Sequence, residues 1–191
     1  MALRGVSNYD CWARFGRCFS SNDITIIGKS KNTEKQRTSG QDDVLDKYKM
    51  QKATFALGCF WGPDDYFSKL KGVLKTRAGY SGGMTQNPNY HNLGDHTETV
   101  EITFDPEAIS FEELLNEFWK RHNPAVKEVT QYQSIIFYHN QEQKKAAEKS
   151  REEMQKNLSR EIVTEIRKAG TFYEAEEYHQ KYLLKRRGRV C

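Results

Sequence analysis

Residues 97–104 (TETVEITF) alternate strictly, with Val100, Ile102 and Phe104 on one side of an extended chain. A few residues later the period changes. Phe111, Leu114, Leu115, Phe118 and Trp119 follow the i, i+3, i+4, i+7, i+8 spacing of a helix with one apolar stripe. Ser110 and Glu113 supply the capping box that starts this helix, which is predicted over 111–121. A strand with one apolar face followed by a helix with one apolar stripe is the signature of an α+β chain, in which each covers the other.

The flanking segments extend the pattern. Ala53–Leu57 is a short apolar run ending at a glycine, as expected of a buried strand. Residues 63–71 read as a helix, with Pro63 in the first turn and Asp64 and Asp65 near its positive end. A second strand is predicted over 72–80, closed by Gly82-Gly83, and a fourth over 132–138 (YQSIIFY). Asn140 caps a long polar helix reaching about Leu158, residues 161–167 alternate again, and 174–185 read as a last amphipathic helix. From Ala53 to Tyr138 the order is βαββαβ. That is the order of a ferredoxin-like two-layer sandwich, here with C-terminal helices and a coil tail.

The first 46 residues differ from the rest. Residues 30–46 are polar throughout, so a flexible extension over 1–46 and a folded domain over 47–191 are expected. Within the extension, residues 1–21 carry three arginines and a single acid, a composition shared by mitochondrial transit peptides and by plain cytosolic extensions. The compartment is therefore cytoplasmic or mitochondrial. A membrane span is excluded, because no apolar run approaches the ~18 residues required. The net charge of +4 is concentrated at the two ends, and five of the last eleven residues are basic. No aromatic-interleaved basic stretch accompanies them, so neither a nucleic acid nor a membrane is expected as partner. Four cysteines in 191 residues are too few for a disulfide scaffold.

Several residues can carry chemistry. Cys59 lies in Gly58-Cys59-Phe60-Trp61-Gly62, between a buried strand and a helix start. Free N–H groups there favour a thiolate, which makes Cys59 either a nucleophile or a buried structural cysteine. Glu98 shares parity with Val100, Ile102 and Phe104. In apolar surroundings its carboxyl would be held protonated and could act as an acid, while at a wet strand end it would be an ordinary glutamate. Tyr80, Tyr90 and Tyr132 stand at strand ends or in loops, where a phenol can donate to a polarised oxygen or simply pack. His96 precedes Glu98 by two residues on the same face. The histidines and cysteines lack any metal-ligand spacing, so no metal is expected.

Taken together these residues resemble a family. Gly58-Cys59-Phe60-Trp61-Gly62 is similar to the GCFWG signature of A-type peptide methionine sulfoxide reductases, and the similarity runs in order through residues 78–83, 87–90, 96–98, 118–124, 130–134 and 172–180. It spans about residues 52–191 and implies a ferredoxin-like α+β sandwich. The activity it implies is thiol-dependent reduction of methionine S-sulfoxide, free or in oxidised proteins. By the same resemblance Cys59 attacks the sulfoxide sulfur, Glu98 protonates its oxygen, and Tyr90 and Tyr132 hydrogen-bond to that oxygen. Phe60 and Trp61 form the methyl pocket. Cys59 would be left as a sulfenic acid, resolved by Cys191 and recycled by thioredoxin, with no cofactor beyond that external thiol reductant. A monomer is expected.

The chain departs from the family pattern in three places. It is shorter between Tyr90 and His96, and it lacks the Gly-rich tail beyond the resolving cysteine. Ala125-Val126-Lys127-Glu128-Val129 replaces a longer polar loop that carries an aspartate. Cys11 and Cys18 match no motif, so a two-cysteine cycle is expected. Two other functions remain open. A thiol peroxidase would use the same cysteines but needs no acid at Glu98. A non-catalytic sulfoxide- or methionine-binding module would suit the missing loop but not the retained Cys59, Glu98, Tyr90, Tyr132 and Cys191.

Overall fold

The computed structural model describes residues 50–188. Its first strand, β1 (Gln51–Leu57), is buried from Ala53 to Leu57 because it lies inside a sheet with neighbours on both sides. On one side it pairs antiparallel with β3 (Thr97–Phe104), setting Phe55 opposite Val100. On the other it pairs antiparallel with β4 (Ser134–Tyr138), setting Phe55 opposite Ile136. Beyond β3 lies β2 (Val73–Ser81), also antiparallel. Two short strands extend the edges, β5 (Glu165–Lys168) parallel to β4 and β6 (Tyr173–Glu174) antiparallel to β2. The sheet order is β5-β4-β1-β3-β2-β6.

Among the described residues four α-helices accompany the sheet: α1 (Trp61–Phe67), α2 (Phe111–Trp119), α3 (Gln141–Lys156) and α4 (Tyr182–Arg187). Odd positions of β1 and even positions of β3 share one sheet face. There Ala53, Phe55, Leu57, Val100, Ile102, Phe104 and Ile136 meet Phe67 of α1, Leu114, Leu115 and Phe118 of α2, and Ala147 of α3. Phe55 is fully buried, with the Phe118 ring centroid 5.2 Å and that of Phe67 5.8 Å away. Burial of this kind contributes about 2–3 kcal/mol per large apolar side chain. The other face carries a smaller cluster of Ala56, Ile135 and Phe137, and beside it Lys52 and Arg77 pair with the buried Glu101.

The caps read from sequence are both made. The Ser110 hydroxyl accepts from Glu113 N–H while the Glu113 carboxylate takes Ser110 N–H, and Asn140 accepts from Gln143 N–H.

Four predicted segments differ. The helix of residues 63–71 starts earlier and ends at Phe67, where Lys69 N–H and Leu70 N–H bond in tighter turns to Tyr66 O and Phe67 O before Gly72 (φ +92°) leads into β2. Tyr132 does not open β4 but closes a 3-10 turn, Thr130–Tyr132. The strand of 161–167 narrows to β5. Most importantly, residues 174–181 are not helical. Ala175 N–H bonds to Ala78 O on the edge of β2, and the Gln180 side chain accepts from Ala78 N–H and donates to Ala78 O and Ala175 O. This edge pairing outcompetes the helical period, and only α4 remains, entered through Lys181 in the left-handed region (φ 52°). The extension over 1–46, its boundary at 47, and Cys11, Cys18 and Cys191 lie outside the described residues. Among the described residues no helix is long and apolar enough to cross a membrane.

Candidate active site

Cys59 occupies the turn between β1 and α1. Gly58 makes that turn with φ +84°, a left-handed conformation that a side chain would strain. The next peptide carries the link to the acid: Phe60 N–H donates to Glu98 Oε2 at 3.0 Å. Glu98 is only 1% exposed and stands opposite Tyr80 in the β2–β3 ladder. Its second oxygen, Oε1, accepts from Gln131 Nε2 at 2.7 Å, while the Thr97 hydroxyl donates to Gln131 O and ties the 3-10 turn to the start of β3.

Desolvation raises the Glu98 carboxyl above the usual carboxylate range, and the Gln131 and Phe60 donors pull it part of the way back. For Cys59 the structure reverses the sequence-based expectation of a favoured thiolate. Cys59 is exposed as a residue, yet the protein packed behind its sulfur pushes the thiol up to about 11. A hydrogen bond from Trp61 N–H lowers it, and the Glu98 charge raises it further. A seven-residue helix with no side-chain cap offers too weak a field to offset that desolvation.

The two residues that follow Cys59 pack among aromatic rings. Phe60 is 1% exposed, with the Tyr80 ring centroid 5.9 Å and the His179 ring 5.1 Å away. The Trp61 indole stacks on Tyr182 at 3.8 Å and 13°, and donates its Nε1–H to His179 Nδ1 at 3.0 Å. Tyr90 leans on the same His179 ring at 4.6 Å. Glu176 bridges two tyrosines, accepting from Tyr80 Oη at 2.8 Å and from Tyr90 N–H at 2.9 Å. Cys59, Phe60, Trp61 and Glu98 are thus brought together, Tyr90 joins them through His179 and Glu176, and Tyr132 follows Gln131 in its turn. His96 plays a different part: its ring accepts from Gly83 N–H and bonds Thr85 O, holding the loop that follows β2. Of residues 125–129, which replace the polar loop, Ala125 is half-buried and the other four are exposed. Among the described residues no cluster of three or more metal-ligating side chains occurs.

Gln131, Glu176, His179 and Tyr182 were given no individual role from sequence. Gln131 and Glu176 through His179 lie inside the stretches that resemble the family, and the sequence marks them in no other way. Their neighbours, from Glu98 for Gln131 to Trp61 for His179 and Tyr182, are far away in the chain, beyond the reach of local patterns.

The family model for peptide methionine sulfoxide reductase matches residues 51–191. A relative from Methanothermobacter thermautotrophicus, named peptide methionine sulfoxide reductase MsrA, is 46% identical over 159 residues, covering 77% of this chain and 93% of its own. The chain belongs to the peptide methionine sulfoxide reductase family. As a reductase of this family it is an enzyme of thiol-dependent methionine sulfoxide reduction. Solved structures agree with the fold. Mxr1 from Saccharomyces cerevisiae in reduced form is 30% identical, with a TM-score of 0.68 over 75% of this chain and 89% of that one. Mxr1 in complex with Trx2 is 28% identical, with a TM-score of 0.55 over 70% and 85%.

Proposed function

We propose that this reductase acts on methionine S-sulfoxide, free or in oxidised proteins, through Cys59 as nucleophile and Glu98 as proton donor. The carrying observation is the hydrogen bond from Phe60 N–H to Glu98 Oε2, which holds a buried carboxyl against the residue next to the sulfur. A sulfoxide is a poor electrophile until its oxygen gains a proton, so the reaction needs a thiolate and a carboxylic acid side by side. Once Glu98 is neutral, its charge no longer pushes the Cys59 thiol up; desolvation still does, so the thiol gives up its proton as the attack takes place.

Attack forms a bond from Cys59 Sγ to the substrate sulfur, and the oxygen takes the Glu98 proton. The oxygen then passes to Cys59. Methionine leaves reduced by two electrons, Cys59 is oxidised by two to a sulfenic acid, and the thiol's proton balances the one donated. Tyr90 and Tyr132 would steady the oxygen, and Phe60 and Trp61 would hold the methyl group. The Cys191 thiol would condense with the sulfenic acid, releasing water and forming a disulfide that thioredoxin reduces by exchange. The Mxr1 complex with Trx2 supports thioredoxin as the partner. The strand order β4-β1-β3-β2 within the wider sheet supports reading the core as a ferredoxin-like sandwich. The protein is proposed to act as a monomer in the cytosol or the mitochondrion, and cutting of residues 1–21 in the source cells decides between the two.

The test is turnover with dithiothreitol on each methionine sulfoxide epimer and on hydrogen peroxide. Activity on the S epimer that vanishes in Cys59→Ser and falls sharply at neutral pH in Glu98→Gln is expected. Peroxide consumption alone would make the protein a thiol peroxidase, and binding without turnover a methionine-binding module.

A further inference from the structure

Two donors of different kinds reach Glu98 from the Cys59 turn and from the turn before β4. Phe60 N–H belongs to the backbone of the Cys59 turn and stands 3.0 Å from Oε2. Gln131 Nε2 is a side-chain group, 2.7 Å from Oε1, and is the shorter of the two bonds. A donor aimed at a buried carboxyl stabilises its charged form, and the shorter contact does so more strongly. Without such donors, burial alone would leave Glu98 a very weak acid, protonated over a wide pH range and slow to release its proton. An acid works best when its ionisation lies near the operating pH.

We propose that Gln131 is a positioning residue of the reaction, whose side-chain amide holds Glu98 by Oε1 and thereby sets which carboxyl oxygen gives up the proton and how readily. The proton resides on Oε2, the less strongly held oxygen, on the side of the Cys59–Phe60 peptide. The proposal rests on Glu98 being the acid.

The remaining polar surroundings of Glu98 are consistent with this role. From the β1–α1 turn it faces Cys59, whose thiol feels its charge. From β2 it faces Tyr80, whose hydroxyl is already committed to Glu176. From the turn before β4 it faces Gln131. Of these, Gln131 is the one whose side chain donates to the carboxyl. The turn does not depend on that side chain, because the Thr97 hydroxyl holds Gln131 by its backbone oxygen. Truncating the amide therefore leaves the backbone tether in place.

The test compares wild type, Gln131→Met and Gln131→Glu in dithiothreitol-driven turnover of methionine S-sulfoxide across pH. An infrared titration of the protonated carboxyl band, assigned by its loss in Glu98→Gln, reads the acid directly and independently of activity. In Gln131→Met the alkaline limb of kcat and the band should both move up by about one pH unit, a tenfold change in the ionisation equilibrium. The plateau kcat should fall several-fold with KM little changed, because a weaker acid donates more slowly. Gln131→Glu should move both further in the same direction. A limb and band unmoved in both variants, with Glu98→Gln abolishing each, overturns the role of Gln131. A limb that survives Glu98→Gln overturns the acid reading, and with it this proposal.

Discussion

His122 is placed to make the stability of this protein depend on pH. It lies after α2, and its Nδ1 bonds Phe118 O at 3.1 Å. A carbonyl only accepts, so the neutral ring carries its proton on Nδ1, and Nε2 accepts from the Ser134 hydroxyl at 2.6 Å. Ser134 is bonded in turn to Thr164 Oγ1 at 2.8 Å. Phe118 and Trp119 enclose the ring, and burial pushes the imidazole down to about 4 from its ordinary 6.5. An unfolded chain would take up a proton near pH 6.5 that the folded chain refuses until near pH 4. Stability is therefore fully present above about pH 6.5 and is lost as pH falls through that window. The two ionisations differ by about 3 kcal/mol in all, of which about 2 kcal/mol is lost by pH 5. His139 and His179 are also pushed down by burial while Glu98 is raised, so wild type alone mixes several slopes. Urea unfolding of wild type and His122→Gln at about pH 7.5 and about pH 5 isolates the one group. Wild type should lose about 2 kcal/mol more than the variant on acidification, a relative midpoint shift of about 1 M urea. Equal losses in the two proteins would refute the argument.

Three further outcomes follow from particular contacts. His179→Phe removes the acceptor of the Trp61 indole and leaves that N–H without a partner; a several-fold rise in KM for methionine sulfoxide is expected, with a shift in Trp61 fluorescence. Lys181→Met leaves Asp64, 1% exposed, without its ammonium partner, and should cost about 3–5 kcal/mol in urea unfolding. Phe55→Ala opens a cavity among three phenylalanine rings and should cost about 3–5 kcal/mol by the same measure.

Much of the fold is legible in the sequence where the signal is local. The alternation of residues 97–104 gives β3 at its observed bounds, and Ser110 with Glu113 marks the start of α2 to the residue. Residues 174–181 carry a helical period as well, but their structure is decided by Ala78, about a hundred residues earlier, whose backbone groups the Gln180 side chain takes. The site divides in the same way. Parity alone places Glu98 on the helix-covered face of β3, whereas the direction in which Cys59 shifts depends on how much protein desolvates its sulfur. Counting N–H groups at a helix start measures only the smaller influence. The parts of Gln131 and His179 rest on partners far away in the chain, Glu98 and Trp61, and became visible only once the sheet brought them together.

The proposed chemistry requires that the sulfoxide oxygen be transferred to Cys59. Reduced protein carrying Cys191→Ser, mixed with one equivalent of methionine S-sulfoxide and then with dimedone, tests it most directly by peptide mass spectrometry. One methionine should form per protein, with a single dimedone adduct on the peptide containing Cys59. Methionine formed in that amount while Cys59 stays an unmodified thiol would contradict the account.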